Sequence, residues 1–198
     1  FRVNDICANC PVGTMSAGQD ASECTPCPAG QFSGSEGSSA CMPCSIGSFA
    51  AESGSIQCQM CTEGQGGSSA GAASEASGCI ECDAGKFSDR VGTTQKCSAC
   101  PPGKISKNNG APYCEECPAG TYSKDEGSTS CAECPEGTSS PQLGAANVES
   151  CAKCPVGLVA NHTGAAFCRR CGIGQYNDVE GSKFCKKCLQ DSVGFKLG

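Results

Sequence analysis

The apolar residues of this chain form neither helical stripes nor strand-length alternations. They occur singly, at a fixed distance from a recurring Cys-x-x-Cys pair. Eleven such pairs run from Cys7/Cys10 to Cys185/Cys188, with starts separated by 17, 17, 17, 21, 18, 17, 17, 20, 17 and 17 residues. A period this short dominates any reading of local structure. The pairs enclose ten loops, each running from the second Cys of one pair to the first Cys of the next. Five residues after the opening Cys, eight loops carry one larger side chain: Met15, Phe32, Phe49, Phe87, Ile105, Tyr122, Val159 or Tyr176. Its surroundings, as in Gly30-Gln31-Phe32-Ser33, read as a short extended piece. The pattern predicts a small irregular hairpin per loop, with the lone apolar residue covering a disulfide or a neighbouring loop's glycine. Helix signals are absent.

Two glycines keep step with the cysteines. One lies three residues after every opening Cys, from Gly13 to Gly174. Another lies ten residues after it in loops two to ten, from Gly37 to Gly181, where loop one has Asp20. Both positions predict a turn that needs positive φ or a close backbone approach. Pro follows the opening Cys at Pro11, Pro28, Pro101, Pro118, Pro135 and Pro155, where it limits the freedom of the reduced chain. Loops four (Cys61 to Cys79) and eight (Cys134 to Cys151) are longer and have Gly66 and Ser139 in place of the apolar residue. Cys7, Cys79 and Cys151 are therefore each 72 residues apart, which suggests a second-order repeat of four loops. The expected organisation is a linker at 1–6, blocks at 7–82 and 79–154, a partial block at 151–188, and a linker at 189–198.

Composition changes the picture of what holds the loops together. Among 198 residues there are 22 Cys and no Trp, and aromatics make up 5%. That is the signature of a disulfide scaffold rather than of one apolar core. The expected fold class is small and disulfide-rich: a linear, solenoid-like rod of about ten irregular β-hairpin loops with little helix. With three extended residues per step, ten loops would reach on the order of 100 Å. The net charge of −6 suits neither nucleic acid nor anionic lipid. Lys183, Lys186, Lys187, Arg169 and Arg170 form the largest basic cluster and read as solvated surface. No run approaches the 18 apolar residues of a membrane span, and no signal peptide is visible. The chain opens at Phe1 and reads as a mature or internal segment of something longer.

Cys-x-x-Cys serves several chemistries. A c-type haem needs His directly after the second Cys, and the only His is His162. A thioredoxin-like site needs one pair on a βαβ scaffold, not eleven pairs in sequence. Zinc is the serious rival, but eleven pairs used two at a time leave one over. Disulfides in an oxidising compartment are the preferred reading. Three connectivities remain open. One closes each loop on itself: Cys10–Cys24, Cys27–Cys41, Cys44–Cys58, Cys61–Cys79, Cys82–Cys97, Cys100–Cys114, Cys117–Cys131, Cys134–Cys151, Cys154–Cys168 and Cys171–Cys185. It leaves Cys7 and Cys188 for inter-repeat or inter-chain bonds. Pairing first with first and second with second strands a whole pair. Bonding each pair internally leaves the loops unclosed. The first is favoured; each closure of about 15 residues is worth roughly 3 kcal/mol in the chain-entropy model.

At these residues the chain resembles the ephrin-receptor-like cysteine-rich repeat. Cys24-Thr25-Pro26-Cys27-Pro28-Ala29-Gly30-Gln31-Phe32-Ser33 and Cys114-Glu115-Glu116-Cys117-Pro118-Ala119-Gly120-Thr121-Tyr122-Ser123 carry the likeness. It is also similar to the first half of tumour-necrosis-factor-receptor modules, in which the analogous loop is closed on itself. The resemblance spans roughly residues 7–188. Loops three, four, five and ten depart from it in lacking Pro after the opening Cys. It implies a secreted or cell-surface location. Long uninterrupted arrays of this kind are typical of surface and filament proteins of protists and algae.

Asn161-His162-Thr163 is the one Asn-x-Ser/Thr sequon and marks Asn161 for N-glycosylation. No nucleophile–base grouping, calcium loop or phosphate-cradling motif is visible, so neither an enzyme nor a cofactor is expected. The expected function is that of an extracellular structural repeat, a rod or filament-forming segment that associates with other copies of the same repeat. The alternative is a receptor or adhesion stalk that binds a protein ligand.

Overall fold

The computed structural model describes residues 2–3, 6–18, 21 and 23–188. Asp20 and the linker at 189–198 lie outside the described residues, as do the side chains of residues 1–7. Each loop begins with a β-turn whose sequence explains its shape. The N–H four residues after the opening Cys donates to the carbonyl one residue after it, as in Gln31 to Pro28 at 3.0 Å and Thr121 to Pro118 at 3.0 Å. The third residue of that turn is the first periodic glycine, with φ between 74° and 86° across the ten loops. This is the geometry of a type II turn, which L side chains resist.

The turn releases the chain into a two-residue strand, four and five residues after the opening Cys. This strand pairs antiparallel with the two residues inside the next Cys-x-x-Cys. Gln31–Phe32 pairs with Met42–Pro43, and Thr121–Tyr122 with Ala132–Glu133. Nine of the eleven two-stranded sheets among the described residues have this form; loop four extends it by one residue, joining Gln65–Gly67 to Cys79–Glu81, and the last joins Arg2–Val3 to Ile6–Cys7. The second strands are exposed in almost every case, so they are solvent-facing edges and not mere connectors. The fold is thus small, disulfide-rich and built of separate hairpins.

Helix is scarce but not absent. Ser74 caps a single helical turn, Glu75–Gly78, through a reciprocal box with Ser77, and Val148–Ser150 form a 3-10 turn. Neither place carries a helix signal in its residue pattern. Both turns lie in the two long loops; the stretch in loop four, too short for periodicity, still supplies a cap in Ser74, whereas Asn147 before the 3-10 turn makes no side-chain cap.

Contacts gather the chain into two units, Phe1–Ala99 with Asn108–Tyr113, and Cys100–Lys107 with Cys114–Gly198. Inside each unit, three backbone hydrogen bonds recur from loop to loop. The first glycine donates to the next loop's sixth residue, as in Gly30 to Ala50 at 2.8 Å and Gly120 to Ser140 at 2.7 Å. The sixth residue's own N–H donates onward, as in Ser33 to Ser55 at 3.1 Å and Ser140 to Ala165 at 3.1 Å. The second glycine donates back to the previous opening Cys, as in Gly54 to Cys27 at 2.7 Å and Gly144 to Cys117 at 2.8 Å. Each unit is therefore a solenoid of hairpins knitted by main-chain bonds.

The stacking also reaches two loops ahead. A Cβ on Gly64 of loop four would overlap the carbonyl oxygen of Gly110 in loop six, and one on Gly120 would overlap that of Gly164. In loops one to four and six to eight the first periodic glycine thus serves twice, for its positive φ and for a backbone approach that leaves no room for a methyl group.

Candidate functional site

The cysteines come together loop by loop. Bonds join Cys10 to Cys24, Cys27 to Cys41, Cys44 to Cys58, Cys61 to Cys79 and Cys82 to Cys97. The remainder join Cys100 to Cys114, Cys117 to Cys131, Cys134 to Cys151, Cys154 to Cys168 and Cys171 to Cys185. The Cα atoms of each pair are 5.5–5.8 Å apart. Nine of the ten opening cysteines, from Cys10 to Cys154, are buried, so the sulfurs occupy the place an aliphatic core would fill. Cys188 is exposed and unpaired among the described residues, yet its N–H donates to Gly174 at 2.8 Å as the other opening cysteines donate to theirs. Cys7 sits in the strand Ile6–Cys7, and its thiol lies outside the described residues.

One position escaped the sequence reading. The sixth residue after the opening Cys is small throughout, and Ser33, Ala50, Ser88, Ser106, Ser123, Ser140, Ala160 and Asn177 are buried there. It lies between successive loops and bonds to both. The run of Ser, Ala, Gly and Asn at this offset was the available signal.

The long loops show why they lack the apolar residue. Gly66 lies against the backbone of Gln95 and Cys97, where a Cβ would come within 3.1 Å of the Gln95 carbonyl oxygen. Ser139 Oγ lies 3.1 Å from Cys168 Sγ. In both cases the next loop's closing Cys occupies the space. The extra residues instead reach back to the preceding loop: Ala72 bridges to Phe49 and packs in one cluster with it, and Ala145 makes the same backbone bridge to Tyr122.

Asn161 is exposed, as are His162 and Thr163. The Thr163 hydroxyl donates to Glu133 Oε2, and His162 Nδ1 lies 2.7 Å from the Thr163 carbonyl oxygen. A shallow groove of about 390 Å³ beside Asn161 is lined by Arg169, Arg170, Lys183 and Phe184. Phe167 and Phe184 are each 70% exposed. Lys183 pairs with Glu136 at 2.7 Å, and Lys186 with Asp178 at 2.7 Å. The hydrogen bond from Lys186 holds the Asp178 carboxyl below its ordinary value and raises the Lys186 ammonium above its own. Among the described residues no group of His, Cys, Asp and Glu is arranged to hold a metal ion, and no helix is long and apolar enough to cross a membrane.

Comparison with known families gives one match. A family model described as tyrosine-protein kinase ephrin type A/B receptor-like matches residues 30–78 and 103–151. Each matched stretch begins at the first glycine of a regular loop, Gly30 or Gly103, and runs through the next long loop. No curated protein matches the chain.

Proposed function

We propose, from the premise that this chain is an array of cysteine-rich ephrin-receptor-like repeats, that it is the structural segment of an extracellular fibre or cell-surface appendage. Ten disulfides and a receptor-like repeat family point to an extracellular or secreted location. The family is a receptor-like cysteine-rich repeat and not an enzyme family, which makes the chain a receptor-type or structural module. What favours the structural role is the main-chain lattice. The same hydrogen bonds recur at almost every step inside each unit, so adding a loop extends the stack without new side-chain chemistry. Cys7 and Cys188 are then held for bonds to further loops or another chain. The blocks of four loops set a longer period, marked by the recurring backbone bridges from the long loops to Phe49 and Tyr122. Asn161 carries the N-linked glycan; release of sugar by an amidase with conversion of Asn161 to Asp, read by peptide mass, tests that assignment.

Electron microscopy of the native material tests the structural reading. The expected result is an axial or helical periodicity in fibres that bind an antibody to this chain. The exposed rings of Phe167 and Phe184 favour a second reading, a stalk that binds a different protein. Single unassembled chains, each with a foreign protein seated at those rings, would replace the first reading with the second.

A further inference from the structure

In the second unit the second strand of the hairpins is an exposed edge, and along that unit its charge changes sign. Glu115–Glu116 occupies this strand before loop seven, and Ala132–Glu133 before loop eight. Ala152–Lys153, Arg169–Arg170 and Lys186–Lys187 occupy it before loop nine, before loop ten and after loop ten. The whole sequence divides the same way. Residues 1–150 contain 17 Asp and Glu against 7 Lys and Arg, whereas residues 151–198 contain 3 against 7. Arg169, Arg170 and Glu115 make no ion pair among the described residues. Among the described residues the one ion pair of Glu116 is with Lys104, at 3.3 Å, an exposed pair that solvent screens.

We infer that copies of this chain associate through these strands, with Arg169–Arg170 of one copy seated against Glu115–Glu116 of the next. The two strands hold the same place in the repeat, three loops apart, so they share backbone shape and exposure. Two parallel copies in register would set Arg on Arg and Glu on Glu. A displacement of three loops gives each guanidinium a carboxylate to pair with, a combination in which Arg can bond both oxygens. The contact is heterologous, so it repeats from copy to copy and gives an open-ended polymer. The inference rests on the structural reading proposed above and names the contact that reading requires.

The test uses the disulfide-intact chain in sedimentation equilibrium at about 50 mM and about 500 mM NaCl, where screening differs severalfold. At low salt the average mass should keep rising with concentration, and the association constant should fall about tenfold or more at high salt. Arg169→Glu/Arg170→Glu should stay monomeric alone, as should Glu115→Lys/Glu116→Lys, while an equimolar mixture of the two recovers association. The milder Arg169→Gln/Arg170→Gln should weaken association without reversing charge, and a free-thiol count keeps misfolding separate from lost contact. Association that ignores salt and both reversals would overturn this contact while leaving the structural reading intact. A mass that stops at two copies would overturn the three-loop displacement. A chain monomeric at every salt, yet binding heparin through Arg169 and Arg170, would overturn both this contact and self-association in favour of an anionic polysaccharide.

Discussion

Loop four and loop nine solve the same packing problem with different materials. Loop nine is of regular length, and its buried cluster is its own: Cys154, Ala160 and Ala165, with Leu158 and Cys168 packed against them. Loop four has Gly66 where loop nine has Val159, and its cluster of Cys61, Ala72 and Cys79 takes Phe49 from loop three. The helical turn Glu75–Gly78 completes that cover, because Gly78 is close enough to Phe49 and Ala72 that a Cβ would strike both. A loop that cannot hold a side chain inside itself thus becomes the lid of its neighbour. Its extra residues are the means of reaching back.

Loss of closure should separate the two loops most. Replacing Cys61 and Cys79 together by Ser should cost about 3–5 kcal/mol of stability, and so should replacing Cys154 and Cys168. The distribution should differ. Hydrogen exchange in the loop-four variant should rise in loop three around Ser48 and Phe49 as well, because their cover is lost, whereas the loop-nine variant should lose a cluster of its own residues. Protection in loop three that survives the loop-four change would refute the lid.

The glycines should come next. Gly64 and Gly157 share one place in the repeat and nearly one φ, 82° and 84°. A Cβ on Gly64 overlaps the Gly110 carbonyl oxygen, whereas one on Gly157 meets nothing within 4 Å among the described residues. Gly157→Ala should cost about 1 kcal/mol from the left-handed conformation alone. Gly64→Ala adds overpacking against backbone and should cost about 3 kcal/mol, read as the shift in a denaturant midpoint at constant slope. Equal costs would mean that stacking two loops ahead contributes nothing.

Side-chain truncation should be smaller and still unequal. Phe49→Ala removes a ring that is 9% exposed and should cost about 3 kcal/mol. Val159→Ala removes two carbons from a residue that is 8% exposed and should cost about 1.5 kcal/mol. If both variants cost alike, the loop-four cover confers no advantage over a self-contained loop.

Much of this architecture was legible because it is periodic. The residues that keep step with the cysteines are those whose role depends on backbone alone. Gly30 must adopt positive φ, and Gly37 must bring its N–H to Cys10 at 2.8 Å. Such needs admit few residue types, so the sequence repeats them. The lid of loop four was illegible for the opposite reason. Ala72, Ser74, Ser77 and Gly78 form no period, and small residues signal neither helix nor core until the chain has placed Phe49 beneath them. The charge reversal between Glu115–Glu116 and Arg169–Arg170 was present in the sequence, but it carried no structural meaning until both pairs proved to be the same exposed strand. The pairing of cysteines remained one of three schemes because spacing fixes which partners are near without fixing which bond forms.

The sixth residue after the opening Cys gives the smallest effects, and they should differ in sign. Ser140 and Ala160 occupy this place in loops eight and nine, both fully enclosed, each accepting one backbone hydrogen bond from the loop before and donating one to the loop after. Ala160 has nothing further to satisfy. The Ser140 hydroxyl is buried without a hydrogen-bond partner among the described residues. Ser33, in the same place in loop two, donates to Ser38 Oγ at 2.8 Å. Replacing an unsatisfied hydroxyl by hydrogen removes a desolvation cost, so Ser140→Ala should stabilise the fold by about 1 kcal/mol. Replacing a bonded one leaves a neighbour without its partner, so Ser33→Ala should destabilise by about 1 kcal/mol. Thermal or denaturant melts of the two variants, measured with disulfides intact, give the signs directly. Ser140→Ala losing as much as Ser33→Ala would mean that the Ser140 hydroxyl is satisfied in solution, and that loops eight and nine do not share a common dry seam.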